Sequence, residues 1–241
     1  MRDVGGRFYG RIMAHTTALA SYKDLCIDAV DPEGLGAFWA EVLGLEAEPL
    51  DDGCVRLVGP TPRHTVWVNT VAEPVSTKQR VHLDVHAGSV EDVLDLGASP
   101  YDLESFRWKV VRDPEGGELC VFERQEVPAY RLYEVVVDSA DPEPIATWWG
   151  RVLGARVGHE EGVAWWWIED VPGLPFEGIV FPPVPEPKLV KNRIHWDVDT
   201  ADLTALVAAG ATVVRERDQE IGWTVMADPD GNEFCAFVGD A

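Results

Sequence analysis

The chain has 241 residues, of which 46% are hydrophobic and 26% charged, so it is long enough for one large globular domain or two compact ones. No apolar run approaches the roughly 18 residues that a membrane-spanning helix needs. Lys and Arg number 20 against 42 Asp and Glu, and the net charge of −22 repels phosphate backbones and anionic lipid. We therefore expect neither nucleic acid nor a membrane as a partner.

The start of the chain and its cysteines predict an intracellular protein. Residues 1–20 are basic without a sustained apolar segment, and we expect a loose tail, with Met13 as an alternative start. No CxxC pair occurs, and the cysteines are too few for a disulfide framework. We expect them to serve as small core hydrophobes in the reducing cytoplasm: Cys26, Cys54, Cys120 and Cys235.

The predicted elements of the first half alternate between strands and helices. LCIDAV predicts a strand, Asp31-Pro32 starts a helix, and LGAFWAEVLG continues that helix to a stop at Gly44. CVRLVG and TVWVNT predict short strands, and RVHLDV, from Arg80, predicts another. VEDVLDLGA predicts a second helix, and WKVVRDP with GGELCVFE predicts a closing hairpin.

The second half repeats the first with offsets between 110 and 115 residues. DLCIDAVDPEGLGAFWAEVLGL matches EVVVDSADPEPIATWWGRVLGA, RVHLDV matches RIHWDV, and DPEGGELCVFE matches DPDGNEFCAFV. The repeat predicts an α+β fold with two domains, residues 21–125 and 126–241, each made of two βαβββ modules.

Strand alternation places one histidine and two carboxylates on the same face of each unit, which is the composition of a metal shell. The two sets are Asp24, His82 and Glu118 in the first unit, and Glu134, His195 and Glu233 in the second. Structural roles stay open: the histidines as core or pocket residues, the later glutamates as hairpin caps, and the first-strand acids as solvated edge charges.

The repeated DPxxLxxFW helix start, the R-x-H-x-D strand and the DPxGNEFC hairpin resemble the vicinal-oxygen-chelate superfamily. The similarity is greatest to its glyoxalase-like, bleomycin-resistance-like branch, and it covers about residues 21–238. It implies tandem glyoxalase-like domains with curved, half-open mixed sheets around a cleft and helices on the convex side.

The same resemblance implies a ligand set for a divalent metal such as Mn, Fe, Ni, Mg or Zn, although a site without a metal is equally compatible. Its first-, fifth- and eighth-strand ligand positions fall on the six residues of the two sets, and Glu118 and Glu233 would also carry protons. The fourth-strand position falls on Asn69 and on Pro182, whose side chain cannot ligate. If sites form across paired units, Asp24 and Asn69 join His195 and Glu233, while Glu134 joins His82 and Glu118.

Ten tryptophans suggest an aromatic cleft for a flat or cationic ligand. We expect the side chains that bind a substrate to be Trp67, Asn69, Trp166, Trp196 and Trp223. Trp39, Trp148 and Trp149 lie on predicted helices and are expected in the core. The alternative is that all of these tryptophans only pack the sheets together.

The leading hypothesis is a metal-dependent lyase or isomerase that acts on a small molecule with adjacent oxygens. The alternative is a metal-free protein that sequesters an antibiotic or another aromatic or cationic compound. A third hypothesis, an extradiol dioxygenase, usually needs two histidines and one carboxylate, whereas one histidine per unit fits. Because the chain contains both units, a monomer with internal pairing is expected, with a homodimer as the alternative.

Overall fold

The computed structural model describes residues 17–239. Residues 1–16 of the predicted tail, including Met13, lie outside the described residues. At the first described residues, Leu19 N–H donates to Val152 O at 2.9 Å. This hydrogen bond ties the beginning of the described chain to the second half.

Four βαβββ modules follow one another along the chain. The first contains β1 (Ala20–Ala29), α1 (Pro32–Leu43), β2 (Glu46–Pro49), β3 (Val55–Val58) and β4 (Val66–Thr70). The second contains β5 (Val81–Ala87), α2 (Val90–Leu94), β6 (Ser99–Asp102), β7 (Lys109–Arg112) and β8 (Glu118–Glu123). The third contains β9 (Leu132–Val137), α3 (Pro142–Leu153), β10 (Arg156–His159), β11 (Trp166–Glu169) and β12 (Gly178–Phe181). The fourth contains β13 (Ile194–Thr200), α4 (Leu203–Ala208), β14 (Thr212–Arg215), β15 (Thr224–Ala227) and β16 (Glu233–Val238).

The strands form two eight-stranded mixed sheets, which confirms the predicted α+β class with tandem modules. Sheet A has the order β14-β15-β16-β13-β1-β4-β3-β2, and sheet B has the order β10-β11-β12-β9-β5-β8-β7-β6. The central pairs, β1 with β13 and β5 with β9, are antiparallel. Sheet A therefore joins the first module to the fourth, and sheet B joins the second to the third. The boundary predicted between residues 125 and 126 falls in the connection from β8 to β9.

The two long helices begin and end at the residues that the sequence marks. In α1, the Asp31 carboxylate caps the first turn by accepting a hydrogen bond from Gly34 N–H at 3.1 Å, and Pro32 occupies the first position. Gly44 ends α1 with φ of 72°, and Gly154 ends α3 with φ of 67°. An L-residue at either position would be strained, so glycine here stops the helix and turns the chain into the next strand.

One contiguous hydrophobic core includes the apolar faces of both sheets. Helix α1 contacts β2, β3 and β4 of sheet A and also β5 of sheet B, and α3 contacts β10, β11 and β12 of sheet B and also β1 of sheet A. Trp39 on α1 and Trp149 on α3 are fully buried, as predicted. The opposite faces of the sheets carry the histidines. No helix among the described residues is long and apolar enough to span a membrane.

Candidate functional site

The polar face of sheet A brings together side chains from both halves of the chain. Cys26 on β1 lies opposite His195 on β13, and Asp197 pairs with Cys235 on β16. Asp24 stands beside Asp197, at the bulge where the register of β1 shifts. Strand alternation points all five side chains away from the contiguous hydrophobic core, to one face of sheet A.

Their side-chain atoms lie close together. His195 Nε2 is 3.5 Å from Cys235 Sγ and 3.6 Å from Asp197 Oδ1. The ligand atoms of Cys26, His195 and Asp197 all lie within 4.8 Å of one another. An imidazole, a thiol and a carboxylate at these separations can close around one metal ion with small side-chain movements.

Burial controls the charge of this cluster. Desolvation lowers the pKa of His195 to about 4, so its ring is neutral at physiological pH and has a free lone pair. Desolvation, followed by the neighbouring Asp24 carboxylate, raises the pKa of Asp197 well above its usual value. Burial likewise raises the pKa values of the Cys26 and Cys235 thiols, which are therefore protonated when no cation is present.

The buried polar atoms of the cluster fit a cation. Within residues 17–239, Asp24 Oδ1 and Asp197 Oδ1 are buried and have no hydrogen-bond partner. Leaving a carboxylate oxygen desolvated and unpaired is costly, and a bound metal would remove that cost. The donor set of the His195 cluster is thus compatible with the divalent metal that the resemblance implies, through ligands that differ partly from the predicted ones.

Two of the predicted carboxylate ligands in sheet A are held by lysines. Asp24 Oδ2 accepts hydrogen bonds from Trp67 Nε1 at 3.1 Å and from Lys23 Nζ at 2.5 Å. Glu233 accepts one from Lys188 Nζ at 2.6 Å on one oxygen and one from the Asn192 N–H at 3.1 Å on the other. Both carboxylates lie on the predicted face, but one oxygen of each already accepts a hydrogen bond from a lysine ammonium.

Sheet B contains a similar but poorer cluster. His82 Nε2 lies 3.5 Å from Cys120 Sγ and 3.5 Å from Asp84 Oδ1. The residue opposite His82 is Val136, which stands where sheet A has Cys26. The predicted ligand Glu134 pairs with Asp84 across the strands.

Other predicted positions lie around these two clusters. Glu118 is 3.6 Å from Arg112 Nη2. Asn69 lies opposite Asp28 on the polar face of sheet A, and the Asp28 carboxylate accepts from Lys191 Nζ at 2.5 Å. Pro182 follows β12, where its carbonyl accepts from Ser139 N–H at 3.0 Å.

The predicted aromatic residues divide between the cleft and the core. Trp67 lies opposite Cys26 in the same row of sheet A. Trp223 stacks on Phe237, with ring centroids 5.4 Å apart, and Lys23 Nζ lies 4.2 Å from the centroid of the Phe237 ring. Phe237 shares the polar face with Cys235, so Trp223 and Phe237 form an aromatic wall beside the His195 cluster.

Trp196 and Trp166 do not lie on the cleft side. Trp196 is 2% exposed in the core and packs against Trp149 with centroids 4.7 Å apart, so it cannot reach a ligand on the His195 face. Trp166 packs against the core and stacks on His159 at 4.5 Å. Successive side chains of a strand point to opposite faces, so Trp167 points the other way from Trp166. Trp167 lies in one row with Val180, Val136 and His82, and it therefore shares the face of sheet B that carries His82.

Three of the four cysteines are buried, as the interpretation of them as small core hydrophobes predicts. Cys26, Cys120 and Cys235 are buried, yet they lie outside the contiguous hydrophobic core and face the histidines. Asp84 and Asp197 were also missed as cluster members. The H-x-D and E-x-C alternation contained the signal, because residues two apart in a strand share a face.

Fold and site together define a protein with tandem βαβββ modules, open mixed sheets and a polar cluster on each sheet. The family model of the glyoxalase-like domain matches residues 24–122 and 134–237. The chain therefore belongs to the glyoxalase-like family of the vicinal-oxygen-chelate superfamily. No curated protein matches it in sequence.

Solved structures of the same fold are distant in sequence. Glyoxalase I from Zea mays is 13% identical, with a TM-score of 0.61 over 91% of this chain and 92% of that one. A candidate dioxygenase from Bacillus subtilis is 16% identical, with a TM-score of 0.61 over 94% of this chain and 87% of that one. At these identities the similarity demonstrates the fold.

Proposed function

We propose that this protein is a metal-dependent lyase or isomerase that acts on a small molecule with adjacent oxygens at the polar face of sheet A. The observation that carries the proposal is the His195 cluster. A neutral buried imidazole and the Asp24 and Asp197 side chains, each with a buried oxygen that lacks a hydrogen-bond partner among the described residues, converge beside a thiol, and a divalent cation bound there would coordinate several of these groups at once. The fold shared with glyoxalase I adds support to this assignment.

A divalent metal bound at this cluster would act as a Lewis acid that polarises the substrate's oxygens. The protein's own side chains position the substrate. Trp67 donates its indole N–H to Asp24 and offers its ring face, while Trp223 and Phe237 form the stacked wall beside Lys23. We assign Glu233 as the proton acceptor, oriented by the Lys188 ammonium and the Asn192 N–H.

Metal-free binding of a small molecule is the second candidate. The ion pairs of Lys23 with Asp24 and of Lys188 with Glu233 favour it, because ammonium groups already neutralise two carboxylates where the resemblance implies metal ligands. In that case the aromatic wall and the lysines would bind an aromatic compound directly.

Metal analysis of protein purified without chelator separates the two. We expect stoichiometric transition metal in the wild type, loss of that metal in His195→Ala and retention in the matched variant His82→Ala, because sheet B lacks the counterpart of Cys26. Wild-type protein that neither contains metal nor gains thermal stability from added Zn²⁺, Co²⁺, Ni²⁺, Mn²⁺ or Fe²⁺ would contradict the proposal. Quenching of tryptophan fluorescence by aromatic compounds would then support the second candidate.

A further inference from the structure

The cysteines on the polar face of sheet A allow the kind of metal to be inferred. Cys26 lies on β1, directly across from His195 on the adjacent strand, and its Sγ belongs to the group of ligand atoms within 4.8 Å that includes His195 and Asp197. All three residues are at least nine-tenths buried. Asp197 Oδ1 has no hydrogen-bond partner in the described part of the chain, which points to a ligand that the cluster is built to receive.

A disulfide does not explain these thiols. Cys26 on β1 and Cys235 on β16 are separated by β13 and pair with different residues of it, so their Cα atoms are more than two strand spacings, about 9–10 Å, apart. A disulfide requires Cα atoms within about 7 Å. Neither side chain belongs to the contiguous hydrophobic cluster, so packing within that cluster does not explain their position beside His195.

We propose that Cys26, His195 and Asp197 form a three-donor site for a thiolate-preferring metal of the zinc type. The inference rests on the proposed function and replaces the ligand set implied by the resemblance, in which Asp24 and Glu233 completed the shell. Thiolate and imidazole donors select zinc-like ions, whereas oxygen-only sets select magnesium, calcium or manganese. On binding, the Cys26 thiol loses its proton to solvent and the sulfur bonds to the metal.

Three protein donors also leave room for chemistry. Catalytic zinc sites use three protein ligands and keep the fourth position for water or substrate, while structural sites use four. Asp24 Oδ1 lies beside the cluster without a hydrogen-bond partner among residues 17–239, so it is placed to accept a hydrogen bond from a group in the fourth position.

The two sheets supply an internal comparison. In sheet B, His82 and Asp84 keep the positions of His195 and Asp197, but Val136 stands in place of Cys26. A valine side chain cannot bind a metal. Sheet B therefore lacks the counterpart of the Cys26 donor, although the ligand atoms of His82, Asp84 and Cys120 also lie within 4.8 Å of one another, and Cys120 lies as close to His82 as Cys235 does to His195.

Titration of the full-length protein with Co²⁺ tests the proposal, because a thiolate bound to cobalt produces a charge-transfer absorption band in the near ultraviolet. We expect this band in the wild type, its removal by competing Zn²⁺, and its loss in Cys26→Val, which introduces the residue found in sheet B. The matched control Cys120→Ser should keep the band. Zn²⁺ affinity should fall by about 100-fold or more in Cys26→Val, since even outer-shell partners contribute 10- to 100-fold.

The outcomes separate this inference from the proposed function. Cobalt binding that depends on His195 but gives no thiolate band, or a band that persists in Cys26→Val, would overturn the thiolate site and leave a metal-dependent function standing. Absence of bound Co²⁺ and Zn²⁺ in the wild type would overturn both. If Cys26→Val fails to fold, Cys26→Ser takes its place with the same expected loss of the band, because a wild-type band alone does not distinguish Cys26 from Cys235, whose Sγ lies 3.5 Å from His195 Nε2.

Discussion

The turn that precedes β16 offers a sharp test of how the fold holds the site. Asp228 is 2% exposed, and its carboxylate accepts three short hydrogen bonds from N–H groups and two longer ones, at 3.3 and 3.4 Å, from the Asn232 side-chain amide. Its Oδ1 accepts from the backbone of Asp230 at 3.0 Å and of Asn232 at 2.8 Å, and its Oδ2 accepts from the indole of Trp149 at 3.0 Å. One carboxylate thus joins α3 to the turn that starts the strand carrying Glu233.

We expect Asp228→Ala to lower the free energy of unfolding by about 3–5 kcal/mol. Each buried donor left without a partner costs about 1–3 kcal/mol, and water can reach the more exposed backbone donor of the turn. The matched variant is Asp113→Ala in the first repeat. Asp113 accepts from the backbone N–H groups of Glu115 at 3.0 Å and Gly117 at 2.8 Å.

The difference between the two variants measures the indole bond together with the longer contacts of the Asn232 amide, whose place in the first repeat is taken by Gly117. Trp39, which matches Trp149 in the repeat, approaches Asp113 without a hydrogen bond of ordinary length to any described residue. Asp113→Ala should therefore cost about 1–2 kcal/mol less than Asp228→Ala.

Urea unfolding followed by tryptophan fluorescence gives both values from the midpoint and the slope of the transition. An unchanged slope is expected, since neither substitution alters the surface exposed on unfolding. A loss below about 1 kcal/mol for Asp228→Ala, or an equal loss in both variants, would refute the reasoning.

Two further experiments probe the packing of sheet B and an ion pair between the two halves of the chain. A Cβ on Gly158 would lie 2.3 Å from the Trp167 indole, so Gly158→Ala should cost about 1–3 kcal/mol in urea unfolding, whereas Gly222→Ala, with open space around it, should change stability by less than about 0.5 kcal/mol. Equal effects would contradict that packing. The mostly buried pair of Glu115 and Arg193, 2.7 Å apart, should show a coupling of about 1–3 kcal/mol in a double-mutant cycle of alanine variants, and strict additivity would show that the pair contributes nothing.

Much of the fold could be predicted because its signals are local. The Asp-Pro helix starts, the glycines after α1 and α3, and the Asp-Pro-x-Gly hairpins act within a few residues, so one sequence was enough to place them. Because the sequence repeats, each of these signals occurs twice in the chain. The pairing of strands was harder to predict. The edge of β1 could form backbone hydrogen bonds with β5 of its own half or with β13, because the two strands have similar apolar faces. The structure has β1 beside β13.

The site could be predicted only in part, because alternation assigns faces but not distances. It placed His195, Glu233 and Asp24 on one side of their strands, and Trp67 with them. It did not reveal that Lys188 and Lys23 form ion pairs with two of those carboxylates. The position of Lys188 depends on the proline-rich connection between β12 and β13, and that of Lys23 depends on the bulge in β1. Trp196 was predicted to bind a ligand on the same side as His195. It follows His195 directly in β13, so strand alternation points its side chain the other way, into the core.

The sequence by itself determined the repeated module, the ends of its long helices and the face of each histidine, because capping, turn chemistry and strand alternation are properties of short segments. Only the tertiary structure decided that modules from opposite halves share a sheet and that a cysteine of β1 meets a histidine of β13. Those contacts join residues that are far apart in the chain. The choice between strand pairings that look alike locally depends on the entropy lost when a long loop is closed and on the apolar area that both sheets bury in one core.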